Sequence, residues 1–246
     1  MKRPYALLTL VLLAAIVSAA LLPAEGAPKR VGRGPLMRIM FIHYKRGHAK
    51  PPWAGGPDKD KDDDGDYTYL SKGAKWRTLE DFLVNPSNSQ GLPADFVAEN
   101  VAAGMDEWET YGGAIFGQLY VDYSASFNNG DLDGVNSVSF GQYDEAGVIA
   151  VANVWGYFTG PPHSREIIEA DILFDEDFTW GDAELNPALM DLLNIAVHEI
   201  GHAAGMGDLY DSDANLETMY GYSTEGEIIK RDLYTGDITG ITKLYQ

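Results

Sequence analysis

Residues 198–208 read His-Glu-Ile-Gly-His-Ala-Ala-Gly-Met-Gly-Asp, and this stretch decides how the rest of the chain is read. On a helix, positions four apart share a face, so His198 and His202 can offer imidazole nitrogens to one cation. Glu199 stands beside the first of them and can reach a metal-bound water without taking a place on the metal. A zinc site of this kind needs a third protein ligand and an open fourth position. Gly205, three residues past His202, can take a left-handed conformation and end the helix. With Gly207 it lets the chain turn back, which brings Asp208 round as the third ligand. The alternative is a solvated helix on which this five-residue spacing arose by chance. The surroundings argue against it. The flanking run is apolar, and two histidines and a glutamate clustered in such a run are costly unless paired or metal-bound.

Upstream, Asn186-Pro187 resembles an N-cap followed by proline in the first turn. The spacing of Leu189, Leu192, Leu193, Ala196 and Ile200 extends the predicted helix to about Ala204. Residues 93–109 predict a second amphipathic helix, with Phe96, Val97, Val101, Met105 and Trp108 near helical spacing and Pro93 in the first turn. Strands are predicted over 77–84, 115–127, 135–140, 148–158 and 167–174, with a turn at 128–134. Residues 237–245 predict a short C-terminal helix. This mixture implies an α/β sheet domain with one long helix entering the site. The segment 148–155 is the candidate edge strand along which an extended peptide would pair.

The N-terminal part is of a different character. Lys2 and Arg3 precede a nearly continuous apolar run, and Ser18-Ala19-Ala20 offers a small-residue cleavage site, so residues 1–20 read as an export signal. An uncleaved membrane anchor is the alternative, since the run extends to Leu22. Removing Lys2 and Arg3 would take the net charge from -19 to -21. Residues 21–70 form an extension or propeptide: a linker at 21–35, an apolar strand at 36–44, a Pro/Gly-rich loop, and an acidic tract at 58–66. Residues 71–246 form the main domain. The acidic balance excludes nucleic acid as a natural partner. No further apolar run of spanning length follows, so no other membrane contact is expected. With no cysteine, disulfides and thiolate metal sites are excluded.

From about Ser71 to the C-terminus the sequence resembles the metzincin peptidases, and among them the matrixins of prokaryotic type that use aspartate as third ligand. The motif HExxHxxGxxD falls on His198, Glu199, His202, Gly205 and Asp208. Thr218-Met219-Tyr220-Gly221 matches the methionine turn. Asp237-Ile238-Thr239-Gly240-Ile241-Thr242-Lys243-Leu244-Tyr245 resembles the closing helix. Glu169-Ala170-Asp171-Ile172-Leu173-Phe174-Asp175 and Trp180 resemble the strand and loop before the catalytic helix. The resemblance implies a metzincin-like α/β (α+β) fold: a twisted mixed sheet, a long active-site helix and a small C-terminal subdomain. It implies a secreted, monomeric endopeptidase acting on protein or peptide substrates. One catalytic zinc would be held by His198, His202 and Asp208, with Glu199 as general base.

Several departures carry expectations of their own. The five histidines leave no set for a second, structural zinc. Matrixin propeptides usually block the metal with a cysteine, so latency here needs another device, and an aspartate from 58–66 is one candidate. Gly221 stands where the family usually has proline. Structural calcium is the second cofactor considered. Asp131, Asp133, Asn136, Asp171, Asp175 and Asp177 supply hard oxygen donors, although turn chemistry explains Asp, Asn and Gly equally well. Asp60, Asp62 and Asp64 echo an EF-hand start but lack its closing glutamate, so the tract reads as a solvated loop. Two rivals stand beside the enzyme reading: a non-catalytic exported binding protein, and a zincin that takes Glu217 as its third ligand.

Overall fold

The computed structural model describes residues 34–48 and 66–246. The export signal and most of the acidic tract lie outside these residues. A seven-stranded mixed sheet forms the frame. Its strands are β1 (Leu36–Lys45), β2 (Phe82–Val84), β3 (Leu119–Val121), β4 (Asn136–Gly141), β5 (Val148–Tyr157), β6 (Glu166–Asp175) and β9 (Tyr222–Ser223), in the spatial order β3-β2-β4-β6-β5-β1-β9. The β2, β3, β4 and β6 neighbours are parallel, β5 runs antiparallel to β6, and β1 runs antiparallel to β5. A two-strand ladder joins β7 (Trp180–Gly181) to β8 (Met190–Asp191).

Two long helices pack together on this frame. In α1 (Ala94–Gly112) the predicted stripe of Val97, Val101, Met105 and Trp108 is buried, and Pro93 serves as the N-cap rather than lying inside the first turn. In α2 (Leu192–Ala204) all residues but Leu193 are buried. A helix of this length is marginal on its own in water, so packing holds it. Leu192, Ile195, Val197 and Ile200 are 3% exposed or less and each contributes about 2 kcal/mol by burial. At Gly104 the two helices approach so closely that a Cβ would lie 2.7 Å from Ile200 Cδ1. Trp108 of α1 and Trp76 donate their indole N–H groups to the Val197 and Ala203 carbonyls of α2, at 2.7 and 2.8 Å.

The start of α2 differs from the sequence expectation. Residues 190–191 are extended because they pair with β7, so the helix begins at Leu192 and Asp191 is its cap. Asp191 accepts from the Asn194 N–H at 2.8 Å, and its carboxylate also receives two N–H groups of Arg231, at 2.9 and 2.6 Å. Asn186 accepts from the Ala188 N–H and closes a turn instead. The strands expected at 77–84 and 115–127 shorten to β2 and β3. Arg77 is drawn aside to the His163 and Arg165 carbonyls, and Asp122 closes a turn on Ser124.

The largest departure concerns β1 and β5. The apolar run at 36–44 is indeed a strand, but it pairs with β5 from Leu36↔Tyr157 to Tyr44↔Val148. The segment 148–155 is therefore internal to the sheet and not a free edge, because β1 covers its outer side. At its far end β1 runs parallel to β9. After α2, the chain returns through the methionine turn to β9 and α3 (Thr235–Tyr245), the small C-terminal part expected from the sequence. No helix among the described residues is long and apolar enough to cross a membrane.

Asp191 joins the helix cap to the Arg231 ion pair, so Asp191→Ala should lower the unfolding free energy by about 2 kcal/mol. Urea unfolding would show this as a lower midpoint at unchanged slope.

Candidate metal centre

The last turn of α2 and the chain that follows it bring together three of the residues singled out in the sequence. His198 Nε2 and His202 Nε2 each lie 3.3 Å from Asp208 Oδ1, and the two imidazoles meet edge to face. Gly205 makes the arrangement possible. It adopts φ +106°, the left-handed conformation open to glycine, and the Met206 N–H closes the helix on the Gly201 carbonyl at 2.9 Å. The chain then passes under Thr68 and Tyr69 and delivers Asp208.

The protons on this cluster are fixed by its outer partners. His198 Nδ1 lies 2.7 Å from the Thr218 carbonyl, and His202 Nδ1 lies 3.1 Å from the Met206 carbonyl. A carbonyl only accepts, so each Nδ1 carries the proton and each Nε2 presents a lone pair. Tyr210 donates its hydroxyl to Asp208 Oδ2 at 2.9 Å, leaving Oδ1 turned to the imidazoles. His198 Nε2 and Asp208 Oδ1 make no hydrogen bond although they are buried. Three lone-pair atoms thus converge with no proton between them. A divalent cation satisfies such a donor set, and the outer hydrogen bonds are those that orient metal-binding histidines. Burial, followed by the neighbouring His202, lowers His198 to about 4 against a partial opposing pull from Asp208, so it is neutral at physiological pH, the state in which an imidazole can bind a metal.

Glu199 lies at the same locus and is fully buried. Burial, and then the Asp208 carboxylate, push its pKa well above the usual carboxylate range; a cation bound nearby would pull it back down. Its Oε1 lies 3.1 Å from His43 Nδ1, while its Oε2 has no partner. His43 is itself pushed well below its ordinary value by burial and then by His198. Burial thus disfavours charge on both partners of this contact.

Beneath the cluster lies Met219, fully buried. A Cβ on Gly201 would lie 2.3 Å from Met219 Sδ and 2.5 Å from Trp108 Cζ2, so only glycine lets the turn lie flat under α2. Asp237 holds this turn by accepting from the Thr218 and Met219 N–H groups, at 2.5 and 3.3 Å. Glu217 accepts from the Gly236 and Asp237 N–H groups, at 2.9 and 3.0 Å. It therefore caps α3 and stands away from the three converging atoms. The side that a residue larger than glycine would use at 221 is filled by the Tyr210 ring, 2.6 Å from an added Cβ.

Against this geometry, the matrixin family model matches residues 83–246. The chain belongs to the matrixin family. This matrixin is 26% identical to karilysin of Tannerella forsythia over 183 residues, covering 74% of this chain and 35% of karilysin. It is 36% identical to human matrix metalloproteinase-16 over 101 residues, covering 41% of this chain and 15% of that protein. Human matrilysin is 39% identical over 75 residues, covering 30% and 26% respectively. The chain thus matches about a third or less of the length of these relatives.

Four residues around the centre had no role there assigned from the sequence: Tyr210, Asp237, His43, and Phe41, which stacks on the His202 ring. The signal for His43 was present, since a histidine in the apolar run at 36–44 needs a partner. Among the described residues, two groups of side chains close tightly enough to hold a cation, His198-His202-Asp208 and His43-His198-Glu199, and they share His198.

Asp237 supplies a pH test of the methionine turn. Burial, and then the adjacent Glu217, raise it from an ordinary 3.8 to about 8. The folded chain holds this proton more tightly than the unfolded chain. Its contribution is therefore complete below about pH 4 and lost as pH rises through about 8. Asp237→Asn keeps an acceptor and removes the titration. The stability advantage of the wild type over this variant should shrink steadily between pH 5 and pH 8 in denaturant titrations.

Proposed function

We propose that this matrixin is an exported zinc-dependent endopeptidase, with His198, His202 and Asp208 as metal ligands and Glu199 as general base. The observation that carries the reading is the convergence of His198 Nε2, His202 Nε2 and Asp208 Oδ1 without a proton among them. Two histidines with one carboxylate is a catalytic zinc set with a position left for water. Zinc bound there supplies Lewis acidity and an acidified water.

The chain's own residues do the rest. Glu199 accepts a proton from the attacking water and returns it to the leaving amine. Tyr210 and the Thr218 and Met206 carbonyls keep the ligands in one rotamer. The Asp208 charge would make a zinc-bound water less acidic than three neutral histidines would.

The finer parts of the proposal follow the sequence. Residues 1–20 direct export, 21–70 form an extension or propeptide, and 71–246 carry catalysis as a monomer on protein or peptide substrates. A structural calcium is proposed at the β6 end that carries Asp175, whose Oδ2 is buried without a partner. Elsewhere the turn reading has support, since Glu169 accepts the Asp133 and Gly134 N–H groups directly.

Glu199→Ala should lower kcat by about 10²–10⁴-fold in casein or peptide hydrolysis while zinc content stays at one per chain. Asp208→Ala should weaken zinc binding by more than about 100-fold, whereas Glu217→Ala should not. A chain that loses zinc equally in both variants would sink the assignment of Asp208.

A further inference from the structure

The centre is covered, and the cover is β1. Phe41 stacks on the His202 ring at 3.8 Å and 8°, and His43 lies over the His198 ring at 3.9 Å. His43 Nδ1 is also hydrogen-bonded to Glu199 Oε1. As a result Glu199 and His198 are 0% exposed and His202 is 1% exposed. A peptidase metal site needs an open position and room for a scissile bond beside its base. The site as folded offers neither.

We propose that β1 is an intramolecular inhibitor that fills the peptide-binding groove, with His43 as the residue that occupies Glu199; this rests on the peptidase reading above. β1 is held as an extended peptide would be held, by backbone pairing on both sides. It runs antiparallel to β5 and parallel to β9, which is strand addition to a sheet edge. Without β1, the outer N–H and C=O groups of β5 would have no strand beside them and would be open to a substrate.

Side chains set the register. Phe41 and His43 face the metal ligands, while Ile42 and Tyr44 pack with Val148 and Val151 on the other face. Charge fixes one end, where Lys45 reaches Glu225 at 2.6 Å and Arg46 reaches Glu227 at 3.1 Å, and at the other end Arg38 donates to the Asn129 carbonyl at 3.2 Å. His43 explains how a strand lying in the groove escapes hydrolysis, because the side chain that would deprotonate water is already engaged by it. Tethering keeps the strand at an effective concentration of about millimolar, enough to exclude an ordinary substrate. This gives a cysteine-free chain a means of latency. The acidic tract at 58–66 lies, Asp66 apart, outside the described residues, and the group found beside Glu199 is His43.

The test uses the full chain with a specific protease site placed between residues 49 and 65, loaded with zinc. Hydrolysis of a fluorogenic peptide and amide hydrogen exchange of residues 148–157 are followed before and after cutting. The expected result is release of the β1 fragment, a rise of at least about tenfold in hydrolysis, and faster exchange along β5. A synthetic peptide of residues 36–46 should reverse both effects, and the same peptide carrying His43→Ala should bind about tenfold more weakly. Equal activity before and after cutting, with the fragment retained and β5 exchange unchanged, would make β1 a permanent strand and overturn the proposal. Faster exchange that the peptide reverses, with no hydrolysis in any form, would uphold β1 as the groove's occupant and overturn the peptidase reading instead.

Discussion

Two imidazole nitrogens and a carboxylate oxygen, all buried, point lone pairs at one another at 3.3 Å. In a low-dielectric interior that arrangement is repulsive unless a cation lies between them. The fold is organised to hold it. The proton positions are fixed by two backbone carbonyls, the second carboxylate oxygen is taken by Tyr210, and the helix ends on a left-handed glycine so that Asp208 can return. The cost lies in the buried, unpartnered His198 Nε2 and Asp208 Oδ1, and a bound ion would offset it, so the metal would be part of the stability of this chain as well as of its chemistry.

The surrounding structure serves to keep α2 rigid. Asp191 and Arg231 fix its first turn, two indole N–H groups hold its carbonyls, and Gly104 and Gly201 let α1 and the methionine turn come within contact. Asp237 then ties that turn to α3. The C-terminal helix is thereby connected to His198 through two residues, because the Thr218 whose N–H Asp237 binds is the same residue whose carbonyl orients His198. A structural change at the chain's end would thus be felt at His198.

Much of this was legible in the sequence because it depends on local spacing. The HExxH repeat, Gly205 and Asp208 lie within eleven residues, and helix geometry alone brings the histidines to one face. The stripe of α1 and the strands β4, β5 and β6 followed from periodicity. What could not be read was mostly non-local. The extended pairing of 190–191 with β7 displaced the helix start from Asn186 to Asp191. β2 is shortened because Arg77 is drawn to distant carbonyls, and β3 because Asp122 closes a local turn. Above all, β1 belongs to the sheet through contacts with residues more than a hundred positions away, and nothing in the run at 36–44 states which edge it joins. The same pairing removed the free edge expected at 148–155. Tyr210 was hidden for a different reason: an aromatic two residues past Asp208 reads as plain packing until its hydroxyl is seen on that carboxylate.

The most direct test of the account is X-ray absorption at the zinc edge of the zinc-loaded full chain. The account predicts one zinc per chain with two imidazole nitrogens and oxygen donors at about 2.0–2.2 Å. A chain that retains no zinc, or a zinc whose first shell lacks a pair of imidazoles, would contradict it.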